Sequence, residues 1–170
     1  MKVFYTYLSE AECKNMKKPE LKRFQSRAGY ALTDYIAKNF YGVQNTDLII
    51  RNNKPEFQNS SLCFNISHSN NLVAVAFDKY PLGLDIELIK PRDLRQLSAR
   101  YSITFNNDEE FYEFWTNLEA EIKIQAEVKH RYTKKLTPDY MMTLLSANEV
   151  FFDRIPTVKI PLPRLELQEV

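Results

Sequence analysis

The sequence predicts an α+β fold made of two related halves, each a helix laid on antiparallel strands. Three observations carry this. Apolar residues recur at helical spacing over residues 19–39. Three short strand patterns follow by residue 88. A second helix pattern then begins near residue 108 and is again followed by strand patterns. The halves are expected to divide near residue 90, giving units of 1–90 and 91–170.

The elements follow in chain order. Residues 2–8 read as an opening strand. Pro19 suits the first turn of a helix, where its missing N–H costs nothing, and the helix is expected to run to about Asn39. Leu21, Phe24, Ala28, Ala31, Leu32, Tyr35 and Ile36 form its buried stripe, while Lys22, Arg23 and Arg27 lie off it, the two arginines sharing one side. Residues 52–55 (Asn-Asn-Lys-Pro) read as a turn. Strands are expected at 62–68, 72–77 and 82–88. The middle one, Leu72 to Phe77, is apolar on both faces and should lie inside a sheet. The third alternates, with Leu82, Leu84, Ile86 and Leu88 on one face and Gly83, Asp85 and Glu87 on the other.

Beyond the Lys90-Pro91 break, a short helix is expected around Leu94 to Tyr101. Asn106 to Glu110 then signal a longer helix from about Asp108 to Val128, with Phe111, Trp115, Leu118 and Ile122 as its core stripe. Strands are expected at 139–146 and 149–152. Pro156, Pro161 and Pro163 should keep the tail irregular.

Composition narrows the function. A chain of 170 residues, 44% hydrophobic and 13% aromatic, can bury a core as one domain or two small subdomains. With 23 basic and 22 acidic residues the net charge is +1, so no overall field draws the chain to nucleic acid, and any anion must be held locally. Cys13 and Cys63 have no metal-ligand spacing, which fits a reducing, cytoplasmic setting. The opening residues lack the apolar stretch of a secretory signal, and no run approaches the ~20 apolar residues of a membrane span. Gly29, Gly42 and Gly83 are the whole glycine complement, too few and too scattered for a glycine-rich phosphate loop, so phosphate would have to meet side chains and metal.

Several groups could carry chemistry. Asp85 and Glu87 place two carboxylates side by side on a strand, which suits a hard cation such as magnesium; an exposed sheet face often carries such a pair with no function. Glu119 and Lys123 share a helix ridge and alone read as an ordinary i, i+4 surface pair. Should that helix pack beside the 82–88 strand, Glu119 would complete a three-carboxylate cluster, with Lys123 ready for phosphate oxygens. The Asn65-Ile66-Ser67-His68-Ser69 run crowds hydroxyls around an imidazole, and His68 could donate to phosphate. It lacks the Gly-x-Ser-x-Gly elbow of a serine hydrolase, and with His130 the only other histidine a His-rich zinc site is excluded. Lys22, Arg23, Arg27 and Lys54, taken singly, read as solvated surface charges.

Taken together and in this order, three segments resemble the hallmarks of the Sfp-type 4'-phosphopantetheinyl transferases. They are Phe64-Asn65-Ile66-Ser67-His68-Ser69, Gly83-Leu84-Asp85-Ile86-Glu87 and the helix segment Trp115 to Lys123 with Glu119 inside it. Asn53-Lys54-Pro55 is similar to the family's Gly-Lys-Pro, and Arg27 falls at its basic helix position. The resemblance implies a pseudo-twofold pair of helix-on-antiparallel-sheet subdomains with coenzyme A in the cleft between them. It implies magnesium held by Asp85, Glu87 and Glu119, and Lys123 and Glu119 as catalytic groups. Arg23, Arg27, Lys54, Ser67 and His68 would bind coenzyme A, and the acceptor would be a serine of an acyl or peptidyl carrier protein. A monomer is expected, since both halves lie in one chain. The sequence departs from the pattern at Leu118, where a lysine is usual, at Asn53, where a glycine is, and in lacking a Gly-x-Gly segment after Lys123. Leu118 favours the alternative of a diverged homologue that binds coenzyme A or carrier protein without transferring the arm.

Overall fold

The computed structural model describes residues 1–149 and 154–161. The opening strand is β1 (Lys2–Tyr7), followed by a short helix α1 (Glu10–Asn15) and the long helix α2 (Lys18–Tyr41). Pro19 sits in the first turn of α2, and Glu20 reaches back to accept from the Lys17 N–H at 3.0 Å. Gly42 ends the helix in the left-handed conformation (φ 70°) that glycine adopts without steric cost. The expected turn at 52–55 belongs to a hairpin of β2 (Leu48–Arg51) and β3 (Lys54–Phe57). Asn52 and Asn53 take φ 50° and 61° at its tip, the pair of positive φ values that a two-residue hairpin turn requires. Asparagine tolerates this region better than most residues, so Asn52 and Asn53 close the turn without a glycine.

The three expected strands are β4 (Cys63–Ser69), β5 (Leu72–Asp78) and β6 (Leu82–Leu88). Helix α3 (Leu94–Tyr101) is capped by Asp93, and α4 (Asp108–Ile124) by Asn107, whose side chain accepts from Glu110 N at 2.9 Å. Helix α4 stops four residues earlier than its pattern predicts because Gln125 turns left-handed (φ 52°), its side chain donating to Asn52 O at 2.9 Å. The chain returns through β7 (His130–Thr137), which the sequence reading did not anticipate, and β8 (Tyr140–Ser146). The expected strand at 149–152 lies outside the described residues beyond Glu149. Residues expected to be irregular instead form β9 (Thr157–Lys159) between Pro156 and Pro161, since neither proline lies within the three paired residues.

Among the described residues the larger sheet has the order β4-β5-β1-β9 and a second sheet the order β6-β8-β7. All pairings are antiparallel except β1 with β9. Side-chain alternation builds the layers. Leu72, Ala74 and Ala76 of β5 pack with Leu82, Leu84 and Ile86 of β6 and Met142 and Leu144 of β8 between the two sheets. Val75 and Phe77, on the opposite face of β5, pack with Leu32, Ile36 and Ala37 of α2. On the far side of the second sheet, Ala120 and Ile124 of α4 pack on Leu145. The architecture is thus mixed α+β, with α2 on one sheet and α4 on the other. No helix among the described residues is long and apolar enough to cross a membrane.

The predicted core stripe of α4 is rotated. Phe111, Tyr112, Thr116, Ala120 and Ile124 are buried, whereas Ile122 is 65% exposed and Trp115 and Leu118 are half-buried. The cause is Gly83 on β6. A Cβ there would lie 2.2 Å from Ala120 O and 2.9 Å from Ile124 N, so the helix backbone at Ala120 and Ile124 rests directly on the glycine, which turns that face of α4 to the sheet.

Candidate active site

The junction of the two sheets brings together Ser67, Asp85, Glu87 and Lys123. Strands β4 and β6 lie side by side, yet they are joined by side chains and not by a backbone ladder. Asn65 Oδ1 accepts from Leu84 N at 2.8 Å, Ser67 Oγ from Ile86 N at 3.1 Å and Ser69 Oγ from Leu88 N at 3.1 Å. The partner in β6 advances with the residue in β4, so the two strands run in the same direction. Alternation on β4 sends Asn65, Ser67 and Ser69 to this seam and turns Phe64 and Ile66 to the α2 side, where they join the apolar clusters. The sequence reading gave Asn65 and Ser69 no role of their own; period-two spacing of polar residues in an otherwise apolar strand was the available signal.

Asp85 sits at the centre, only 4% exposed. Its Oδ1 accepts from Ser67 Oγ at 2.9 Å and from Lys123 Nζ at 2.6 Å. Its Oδ2 is buried without a partner among the described residues. Burial pushes the Asp85 carboxyl up to about 6; Lys123 pulls against this, Glu87 adds to it and Ser67 opposes it. Lys123 also donates to Leu84 O at 3.1 Å and Ser67 Oγ at 3.3 Å, so its ammonium has three acceptors around it. Glu87, half-buried, accepts from Ser69 Oγ at 2.6 Å.

Helix α4 lies along β6 in the opposite direction. Its end at Ala120 and Ile124 covers Gly83, while Glu87 shares a small groove with Tyr112 and Trp115 near its start. Glu119 lies on the ridge between Trp115 and Lys123, above this strand. Among the described residues no three His, Cys, Asp or Glu side chains are gathered into a metal-holding group. The chemistry of the pair still fits a hard cation: both ligating groups are carboxylates, one buried oxygen of Asp85 has no donor, and the other is met by a cation, the Lys123 ammonium.

The remaining candidates lie around this centre at different removes. Lys54 donates to Leu82 O at 3.0 Å and to Lys123 O at 3.2 Å, fastening the hairpin to β6 and to the last turn of α4. Burial lowers its pKa. It borders a cleft of about 590 Å³ between the hairpin, the 58–62 loop and the end of α4, lined also by Pro55, Cys63, Pro81 and Gln125. His68 is half-buried; burial lowers its pKa, the charge of Lys123 lowers it further, a backbone hydrogen bond opposes the shift and Lys22 adds to it. Arg27 on α2 is half-buried with Nε enclosed and unpartnered among the described residues, and Arg23, one turn earlier, is exposed.

No family model matches the chain. Comparison with curated proteins finds relatives of one kind. The 4'-phosphopantetheinyl transferase psf-1 of Bacillus pumilus is 31% identical over 183 residues, covering 85% of this chain and 78% of that one. The 4'-phosphopantetheinyl transferases Sfp and ffp of Bacillus subtilis are each 39% identical over 70 residues, 35% of this chain and 31% of theirs. Because the first likeness runs through most of both chains and is not confined to one motif, this chain belongs to the Sfp-type 4'-phosphopantetheinyl transferases and is an enzyme of that type.

Proposed function

We propose that the chain transfers the 4'-phosphopantetheine arm of coenzyme A to a serine of an acyl or peptidyl carrier protein, in a magnesium-dependent reaction. The observation that carries this reading is Asp85 at the seam: a buried carboxylate with one oxygen unpartnered among the described residues and the other on Lys123, with Glu87 two residues along the same strand face. Asp85, Glu87 and Glu119 would hold the magnesium, which when bound supplies positive charge against the pyrophosphate of coenzyme A.

The chain's own residues do the rest. Lys123 offers its N–H donors to the phosphate oxygens on which charge develops, work that depends on position more than on covalent chemistry. Glu119 accepts the proton of the attacking serine hydroxyl. The serine oxygen bonds to the phosphorus that bears pantetheine, the bridging P–O bond breaks, and adenosine 3',5'-bisphosphate leaves. Arg23, Arg27, Lys54, Ser67 and His68 hold the nucleotide end, His68 as an N–H donor and the arginines through charge-assisted bonds to phosphate. In this reading the two helix-on-sheet halves form a pseudo-twofold pair with coenzyme A between them, and the enzyme works as a cytoplasmic monomer.

The test is intact-mass spectrometry of an apo carrier protein incubated with coenzyme A, magnesium and this enzyme. A phosphopantetheine mass gain that disappears in Asp85→Asn and Glu119→Gln is the expected result. No gain with several carriers, while calorimetry still detects coenzyme A, would replace this reading by a homologue that binds without transferring.

A further inference from the structure

The seam between β4 and β6 contains a repeated piece of wiring. Ser67 Oγ accepts from the N–H of Ile86 and donates to the carboxylate of the preceding residue, Asp85. Ser69 Oγ accepts from the N–H of Leu88 and donates to the carboxylate of the preceding residue, Glu87. A serine hydroxyl has a single proton to give. The main-chain N–H holds the oxygen from one side, so the proton is directed to the carboxylate on the other. Asn65 makes the same main-chain bond, to Leu84 N, with no carboxylate attached.

From this wiring we infer that Ser69 is a positioning residue for the transfer reaction: it holds Glu87 Oε2 in place so that the other carboxylate oxygen faces the site beside Asp85. The inference rests on the reading above, in which Glu87 is a magnesium ligand. Glu87 is half-buried on a three-torsion side chain, and among the described residues Ser69 supplies the hydrogen bond to its carboxylate, at 2.6 Å. Asp85 is held by burial, Ser67 and Lys123 together, so it keeps its place without Ser69. Among the described residues Glu87 has no comparable second anchor, which makes Ser69 the member of the seam whose loss reaches a ligand. Groups that orient a metal ligand from behind typically change metal affinity by about 10- to 100-fold when removed.

Asn65 makes the experiment discriminating, because its removal takes away the same kind of seam bond and leaves the carboxylates untouched. Binding of Mn²⁺ to the full-length protein with coenzyme A is measured by electron paramagnetic resonance for the wild type, Ser69→Ala, Ser69→Thr and Asn65→Ala, beside thermal unfolding and the magnesium dependence of transfer. The expected result is a weakening of Mn²⁺ binding of about 10-fold or more in Ser69→Ala, recovery in Ser69→Thr, and a lower Tm with wild-type Mn²⁺ binding in Asn65→Ala. Wild-type Mn²⁺ binding in Ser69→Ala, or equal weakening in Asn65→Ala, would overturn the inference and leave the transferase reading standing. A wild type that neither binds Mn²⁺ nor transfers the arm would overturn both.

Discussion

Placing a methyl group at Gly83 should damage stability and catalysis together, and by separable amounts. The added Cβ would sit 2.2 Å from Ala120 O, 2.9 Å from Ile124 N and 3.0 Å from Ile124 Cβ, whereas real Cβ atoms essentially never approach closer than 3.0 Å. The nearest contact is therefore short by about 0.8 Å, and the obstacles include two backbone atoms of α4 that cannot rotate away. Overpacking costs ~1–3 kcal/mol, and a backbone-on-backbone clash belongs at the upper end. At ~2–4 °C per kcal/mol for a chain of this size, Gly83→Ala should lower Tm by about 6–12 °C. The relief available is for α4 to move outward, and α4 carries Glu119 and the Lys123 ammonium that now lies 2.6 Å from Asp85 Oδ1. A displacement of ~1 Å in a catalytic constellation can cost on the order of 100-fold in rate. The assay pairs circular-dichroism melts with transfer rates measured well below both melting temperatures. A variant with unchanged Tm and unchanged rate would show that α4 does not rest on Gly83 and that the close approach is not what the glycine is for.

Three further outcomes follow from the same geometry. The Asp85 carboxyl is raised by burial from 3.8 to about 6, so between these values the folded chain holds a proton that the unfolded chain has released, and stability falls as pH rises through the window. At ~1.4 kcal/mol per unit the loss is about 3 kcal/mol, and Asp85→Asn, which cannot ionise, should flatten the slope in urea titrations between pH 4 and 7; parallel curves for the two proteins would refute the assignment. Lys54→Met keeps the apolar stem but takes the donor from Leu82 O and Lys123 O, and should cost ~1–3 kcal/mol by urea denaturation, a loss near zero meaning that the hairpin is fastened by other contacts. Burial raises both thiols, with Glu12 adding to the shift at Cys13 and Lys54 opposing it at Cys63, so both should alkylate more slowly than free cysteine at neutral pH. Labelling of either thiol as fast as a free one, followed by peptide mass spectrometry, would contradict that burial.

The linear pattern determined a good deal of this protein. Alternation alone placed Asp85 and Glu87 on one face of β6 and Leu82, Leu84 and Ile86 on the other, because a strand's geometry depends only on neighbouring residues. The same local physics located α3, whose start is marked by Asp93, and the inner position of β5, whose residues are apolar on both faces. Family kinship was likewise legible, since three motifs in fixed order carry it. The rotation of α4 was not. A helical pattern ranks residues by hydrophobicity, and the bulky Trp115, Leu118 and Ile122 outweighed Thr116 and Ala120; yet the close approach of the α4 backbone at Ala120 and Ile124 to Gly83 turns their face to the sheet, a fact that resides in a strand nearly forty residues away. The two strands flanking the expected 52–55 turn, β7 and the parallel strand β9 escaped notice for a related reason, being short, polar or proline-flanked segments stabilised by the partner they meet. The seam was decided by tertiary structure in the fullest sense. Each hydroxyl of Ser67 and Ser69 joins groups 18 and 19 residues apart, and Lys123 reaches Asp85 across 38, so none of these bonds exists until the two sheets have met edge to edge and brought donor and acceptor within 3 Å or so.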